Sequence, residues 1–438
     1  MNYDQLQAKL KDLIDNSPMS AYQIVVVALC FILNMNDGID VLVVSFTGST
    51  IATELGLSST ELGGIFSAGL AGMTIGCLFL APIGDSVGRR KIFILALSLI
   101  TMGMLGVYFT TNYVGILACR VITGLGIGAI LPTMATAASE FSNNKSRDFN
   151  VGLIQGGWPL GAIFTGLFCA WAVPQFGWRF AFLVAGLISL AMLVLVVAFM
   201  PDSLAFLAKK QPLNAHAQIN NLLNKMGHAG IESLPAKPAK DPSVSLSDLF
   251  TEEHKASTIR LWIGIFFGFL TLYTLMSWVP KIAQSSGMPF ELATYAGTAL
   301  NLGAFLGVVA MGLSVTRFGI KKTMLGFMLI AFSIMIAYAN LKLSYLVMFI
   351  LIFFIGFFVQ GGFNAFFPTG TRIYPSAIRA TGVGLAMGIG RFGAILGPFI
   401  FGVLSDEKWS ISALFTLFSL PLLVAGAMAF TIPSKNLN

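Results

Sequence analysis

Four ionisable residues stand inside stretches that are otherwise almost wholly apolar: Asp37 and Asp40 in "FILNMNDGIDVLVVSF", Arg120 in "YVGILACRVITGLGIGAILP", and Arg391 in "ATGVGLAMGIGRFGAILGPFIFGV". The aspartates are three residues apart, which places them on one face of a helix. Buried and adjacent, two carboxylates can take up and release a proton as their surroundings change. A buried arginine at similar depth can pair with them or with a substrate anion, and its planar fork suits a carboxylate. The chemistry these residues suggest is capture of an organic anion together with carriage of protons, with no covalent step. Two readings of the aspartate pair stay open here: proton carriers, or a structural pair satisfied by neighbouring helices. Arg391 is either an anion-binding group or half of a fixed ion pair, but no deep acid stands in the second half of the sequence to complete one.

What must position these residues is a membrane scaffold. The chain has 438 residues, of which 56% are hydrophobic and 10% charged, against ~25% charged in an ordinary soluble domain. Its mean hydropathy is +0.82. A soluble fold cannot hide so much apolar surface; lipid accepts it. Apolar runs of spanning length fall at 22–46, 61–83, 92–111, 113–138, 149–172, 178–200, 260–280, 291–315, 321–340, 343–370, 380–404 and 410–432. They are continuous rather than alternating, so helices and not a β-barrel must cross the bilayer. The expected fold class is an all-α membrane protein with twelve transmembrane helices.

Lysine and arginine set the orientation. With both termini inside, 20 of them fall on inner segments and only 4 outside (Arg179, Lys281, Lys342 and Lys408), the asymmetry expected of cytoplasmic loops. The formal charge of +7 is therefore topology and not a nucleic-acid footprint. The segment 1–21 has mixed charge and no apolar core, so it reads as a cytoplasmic tail and not a cleaved signal. A six-helix bundle over 22–200, a polar linker over 201–259, a second bundle over 260–432 and a short cytoplasmic tail over 433–438 follow. The linker holds all three histidines and a proline-rich middle; its "LNAHAQINNLLNKMG" predicts a short surface helix. "DSVGRRK" after the second span and "TRFGIKKT" after the eighth echo one another, as in a carrier built from repeated halves.

Several motifs belong to the scaffold's moving parts. In "APIGDSVGRRK", Gly88 permits a tight turn, and Asp85, Arg89 and Arg90 join Glu140 and Arg147 of the next inner loop as candidates for a cytoplasmic latch. Gly124, Gly126 and Gly128 let another helix approach the fourth span. Polar groups and glycines interrupt the apolar runs at "LIQGGWPLGAIFTG" and "FVQGGFNAFFPTGTRIYP". These place Trp158, Asn364, Phe366 and Phe367, with Asn34 beside the aspartates, as possible pocket residues. Cys30, Cys77, Cys119 and Cys169 read as small buried hydrophobes. There is no Walker loop, dinucleotide fingerprint or HExxH pair, so no enzyme activity, cofactor or metal is expected.

"GDSVGRRK" and "RVITGLGIG" resemble the signature motifs of the major facilitator superfamily. "NDGIDV" and "YPSAIRATGVGLAMGIGRFGAILGP" resemble its aromatic acid:proton symporter family. Ala81, Ile39 and Thr316 depart from the residues usual in those motifs. The resemblance implies the major facilitator fold and proton-coupled uptake of 4-hydroxybenzoate, benzoate, protocatechuate or a similar acid, by alternating access across the bacterial inner membrane. It implies that Asp37, Asp40, Asp85, Arg120, Glu140 and Arg391 are required for transport. Asp37, Asp40 and Arg120 would couple protons, Arg391 and Arg120 would bind the carboxylate, and Arg379 would join the latch. The partners are then an aromatic acid, protons and membrane lipid, with no nucleic acid, and the chain suffices as a monomer. Two alternatives remain: import of a non-aromatic acid such as quinate, shikimate or muconate, and a transporter-like sensor or scaffold.

Overall fold

A bilayer offers the backbone no hydrogen-bond partner but itself, so each apolar run closes its own helix. In the computed structural model these are α1 Ala21–Leu55, α2 Ser59–Ile83, α3 Arg89–Phe109, α4 Tyr113–Glu140, α5 Phe149–Phe176, α6 Trp178–Phe199, α7 Lys255–Ser285, α8 Phe290–Phe318, α9 Ile320–Asn340, α10 Tyr345–Ile373, α11 Thr381–Asp406 and α12 Ile411–Thr431. The structure describes residues 3–236, 249–251, 254–341, 343–374 and 376–433, without the side chains of Asp4, Asp85, Asp148 and residues 376–380. The proline-rich middle of the linker and most of the tail after 432 thus lie outside the described residues.

α1 runs nine residues past the end its apolar pattern predicts. The extension, "TGSTIATEL", is rich in hydroxyls, but Thr47 and Thr53 turn theirs back to the carbonyls of Val43 and Ser49, at 2.7 and 2.9 Å. A hydroxyl so bonded does not break the helix. Ser20 and Gln23 form a capping box at its start, and Gly56, at φ 65°, ends it.

The glycine-rich interruptions are lapses of one residue, Gly156 and Ala365, both still right-handed: the helix that carries α5 is divided into Arg147–Gln155 and Gly157–Phe176, and α10 into Tyr345–Asn364 and Phe366–Ile373. The inner end of α2 loosens into a π-helical stretch, Gly76–Leu80.

Within the first half α1 packs on α5 and α6, and α4 on α2 and α3; within the second, α8 packs on α10, α9 on α12, and α7 on α11 and α12. The halves meet where α2 lies on α11, α5 on α8 and α1 on α7. Shifting each number by six exchanges the first two of these pairs, the pattern of a twofold repeat.

Among the described residues four further helices sit outside the spans: Tyr3–Asn16, Gly84–Val87, Leu204–Lys210 and Ala215–Lys225. Only the last follows from the sequence. The amino-terminal helix is not a loose tail: Leu6 and Leu10 are buried, and Asp15 forms an ion pair with Arg147 at the start of α5.

Candidate functional site

Gly38 fixes how the aspartates are presented. A Cβ there would strike the main chain of α5 at Trp158 and Ala162, so only glycine lets α1 lie this close. Asp37 and Asp40, on either side of it, are 1% and 0% exposed. Arg120 is 3% and Arg391 9% exposed. The four predicted ionisable residues are thus buried on α1, α4 and α11.

Their bonding separates the two acids. Asp40 is held: Asn36 Nδ2 donates to its Oδ2 at 2.7 Å, Ser189 Oγ of α6 lies 3.4 Å from each carboxylate oxygen, and Arg120 Nη1 donates to its main-chain carbonyl at 3.2 Å. Neither oxygen of Asp37 has a hydrogen-bond partner. Arg391 is the cation whose charge acts on Asp37, and Arg120 the one that acts on Asp40. Among the described residues neither arginine forms an ion pair with them. Nε of both arginines, and Nη1 of Arg391, remain without acceptors. An unpartnered carboxylate within the field of an incompletely bonded guanidinium is a group open to a ligand or a proton, since an unpaired buried charge is costly.

Tyr273 of α7, which the sequence reading missed, lies within the fields of Asp37 and Arg391. With Phe66, Gly69, Arg120 and Ser277 it lines a cavity of about 20 Å³, room for roughly one water. Gly69 makes space for the arginine, since a Cβ there would lie 3.0 Å from Arg120 Nη2. A space of this size is too small for an aromatic acid.

The closure lies on the outer side. Asp406 of α11 accepts the main-chain N–H groups of Ser59 at 2.8 Å and Thr60 at 2.7 Å, at the start of α2. Ser58 N–H bonds to Glu61 and Glu61 N–H to Ser58, so the first-turn amides left free by helix geometry all have acceptors. Ser67 donates to the Ile395 carbonyl at 2.6 Å, Ser45 to that of Met276 at 2.5 Å, and Phe66 meets Trp278 edge-on. Among the described residues, the side-chain hydrogen bonds that join the two halves lie in this outer part.

At the inner face Arg89 pairs with Glu140 at 2.7 Å. Arg147 bonds to the carbonyls of Ser139 and Ser142 as well as to Asp15. Arg90 donates its main-chain N–H to Asp202 at 3.1 Å and its guanidinium to the Val197 carbonyl at 2.7 Å. Asp202, just past α6, is a second residue the sequence reading missed. Burial pushes its carboxyl above the ordinary value, against the bond from Arg90 and the charges of Arg90, Lys91 and Arg89. The side chains of Asp85 and Arg379 lie outside the described residues.

Gly88 has φ 101°, and a Cβ on it would sit 2.5 Å from Asp202 Oδ1. Gly88→Ala should therefore break the Arg90–Asp202 bond and lower both transport and thermal stability. Gly177→Ala is the control: φ is +78°, with nothing within 4 Å to strike. Equal loss in both variants would leave backbone strain as the whole effect and remove the latch from the explanation.

Other expected positions fall differently. Gly124 and Gly128 admit the α2 backbone and Gly126 that of α3. Asn34 is buried and donates to the Ile154 carbonyl, with Oδ1 unpartnered. Trp158 and Asn364 are half-buried and Phe367 is 41% exposed. Phe366, expected at a pocket wall, is instead fully buried, its ring filling the notch that Gly264 leaves on α7, while Phe363 fills that of Gly268; Phe366 packs the second bundle.

The profile of the Major Facilitator Superfamily matches residues 27–371 and, in a second match, 261–437. The chain is 31% identical to the gallate transporter of Pseudomonas putida over 422 residues, 95% of this chain and 93% of that one. It is 30% identical to the 4-hydroxybenzoate transporter PcaK of Acinetobacter baylyi over 436 residues, 97% and 93% of the two chains. The crystal structure of a D-xylose–proton symporter has the same fold, with a TM-score of 0.74 at 16% identity, covering 95% of this chain and 99% of that one.

Proposed function

The chain belongs to the Major Facilitator Superfamily and, within it, to the aromatic acid:proton symporters, and from that premise we propose that it imports an aromatic carboxylate with one or more protons. It is a secondary transporter of the bacterial inner membrane and not an enzyme. The observation that carries the reading is the buried centre: Asp37 with no hydrogen-bond partner, Arg391 acting on it with unfilled donors, and Tyr273 beside both. Arg391 takes the substrate carboxylate, because two parallel N–H donors fit two carboxylate oxygens. The rings of Tyr273 and Phe66 give the substrate ring a flat apolar wall. The related gallate and 4-hydroxybenzoate transporters support an aromatic acid over other anions.

Asp37 and Asp40 carry the protons. Uptake of a monoanion with one proton moves no net charge; with two it moves one positive charge inward, which the membrane potential favours. Purified protein in vesicles, given an inward pH step, should accumulate radiolabelled gallate, 4-hydroxybenzoate or benzoate above empty vesicles. Accumulation of quinate or shikimate with none of the aromatic acids would overturn the aromatic assignment. No accumulation of any acid would overturn the symport reading.

A further inference from the structure

α6 is the most apolar of the twelve spans, and Ser189 is its single hydroxyl residue. It is 0% exposed, so its hydroxyl must find partners inside the bundle. It finds them on α1. Asn36 Nδ2 donates to Asp40 Oδ2 at 2.7 Å and also reaches Ser189 Oγ at 3.1 Å. Those two bonds use both hydrogens of the amide. Ser189 Oγ in turn lies 3.4 Å from both Asp40 oxygens, 3.2 Å from Asn36 Oδ1 and 3.1 Å from the Ala185 carbonyl.

A hydroxyl carries one hydrogen, so only one of these acceptors receives it at a time. When Asp40 is ionised, the hydrogen points to Asp40. When Asp40 carries a proton, the hydroxyl turns to Ala185 or Asn36, and no buried donor is orphaned in either state. Nothing comparable surrounds Asp37, one turn away, whose oxygens have no hydrogen-bond partner. The charged groups acting on Asp40 are Asp37 on its own helix and Arg120 from α4. Among the described residues, α5, α6 and α7 bring no charge against it.

We propose that Asn36 and Ser189 are positioning residues for proton coupling, clamping the Asp40 carboxylate to α6 so that the acid pair is divided into a held member, Asp40, and a free member, Asp37. The clamp rests on the reading of the pair as proton carriers. Its donors favour the ionised carboxylate, because hydrogen bonds to the charged form stabilise it. The clamp therefore makes Asp40 easier to ionise than the same buried carboxyl would be without these donors, while Asp37 has no hydrogen bond of this kind and answers to the substrate and to Arg391.

The test uses the full-length protein in vesicles, with 4-hydroxybenzoate as the probe and two readouts. The first is the pH dependence of proton-driven uptake. The second is counterflow at equal pH, which needs substrate binding and alternation but no net proton movement. Ser189→Ala and Asn36→Ala should each move the midpoint of the uptake profile to higher pH, by roughly 0.5 to 1 unit, with counterflow affinity unchanged. Ser189→Thr keeps a hydroxyl at the same atom and should restore the wild-type midpoint. A wild-type midpoint in both alanine variants overturns the clamp, as does a shift that Ser189→Thr does not reverse. The wild-type protein decides the underlying reading separately: counterflow with no response to a pH step would remove proton coupling itself.

Discussion

Arg391→Ala should lose substrate binding while the protein still folds and inserts. The guanidinium contributes no ion pair to the fold among the described residues, and Nε and Nη1 already lack acceptors, so its removal breaks little that holds the bundle together. What it removes is the fork that would meet the carboxylate. Truncating one partner of a buried, hydrogen-bonded charge pair costs about 2–5 kcal/mol, which is about 30-fold in affinity at the low end and more than 1,000-fold at the high end. Arg391→Lys keeps the charge but not the two parallel donors, and should fall between. Calorimetric titration of the purified variants with 4-hydroxybenzoate reads the result directly. Wild-type affinity in Arg391→Ala would return Arg391 to the scaffold and leave Arg120 as the sole candidate for the anion.

Asp37→Asn should uncouple the carrier without emptying its site. Asn imitates a protonated carboxyl in shape but cannot ionise, and because neither Asp37 oxygen is hydrogen-bonded, no bond that holds the bundle is lost. Counterflow should persist, while uphill accumulation driven by pH should stop, leaving substrate equal on both sides. Asp40→Asn perturbs more, since its carboxylate is bound by Asn36 and lies against Ser189, and it should lower thermal stability as well as stop uphill accumulation. Acids so close titrate as a pair, so the decisive variant is the double one. If Asp37→Asn with Asp40→Asn still concentrates substrate in proportion to an imposed pH step, neither aspartate carries the proton.

The twelve helices and the four buried ionisable residues were legible in the sequence because both are one-dimensional signals. A continuous apolar run and a charge inside it need no knowledge of neighbours. The end of α1 was less legible: Thr47 and Thr53 look like loop residues until their hydroxyls are seen bonded one turn back. Phe366 beside glycines reads equally as a pocket wall or as filling, and the notch at Gly264, which its ring occupies, decides for filling. Tyr273, Ser189, Asp202 and Asp406 could not be singled out, since each matters through a partner distant in sequence. A serine or tyrosine in a span is ordinary until the carboxylate or guanidinium opposite it is known.

The cap that Asp406 places on α2 has a consequence for how tightly the carrier holds substrate arriving from outside. With the cap closed, the first-turn amides of α2 have acceptors, and those of Ser59 and Thr60 depend on the opposite half. Opening the outer mouth hands those two amides and the carboxylate to water, which replaces the bonds, so at this exposed position the cap is a detent and not a lock. A detent still sets populations. A ligand that can bind only the outward-open form sees an affinity weakened by the fraction of molecules in that form. The concentration at which uptake saturates from outside should thus depend partly on two backbone bonds at the rim, well away along α11 from the buried Arg391.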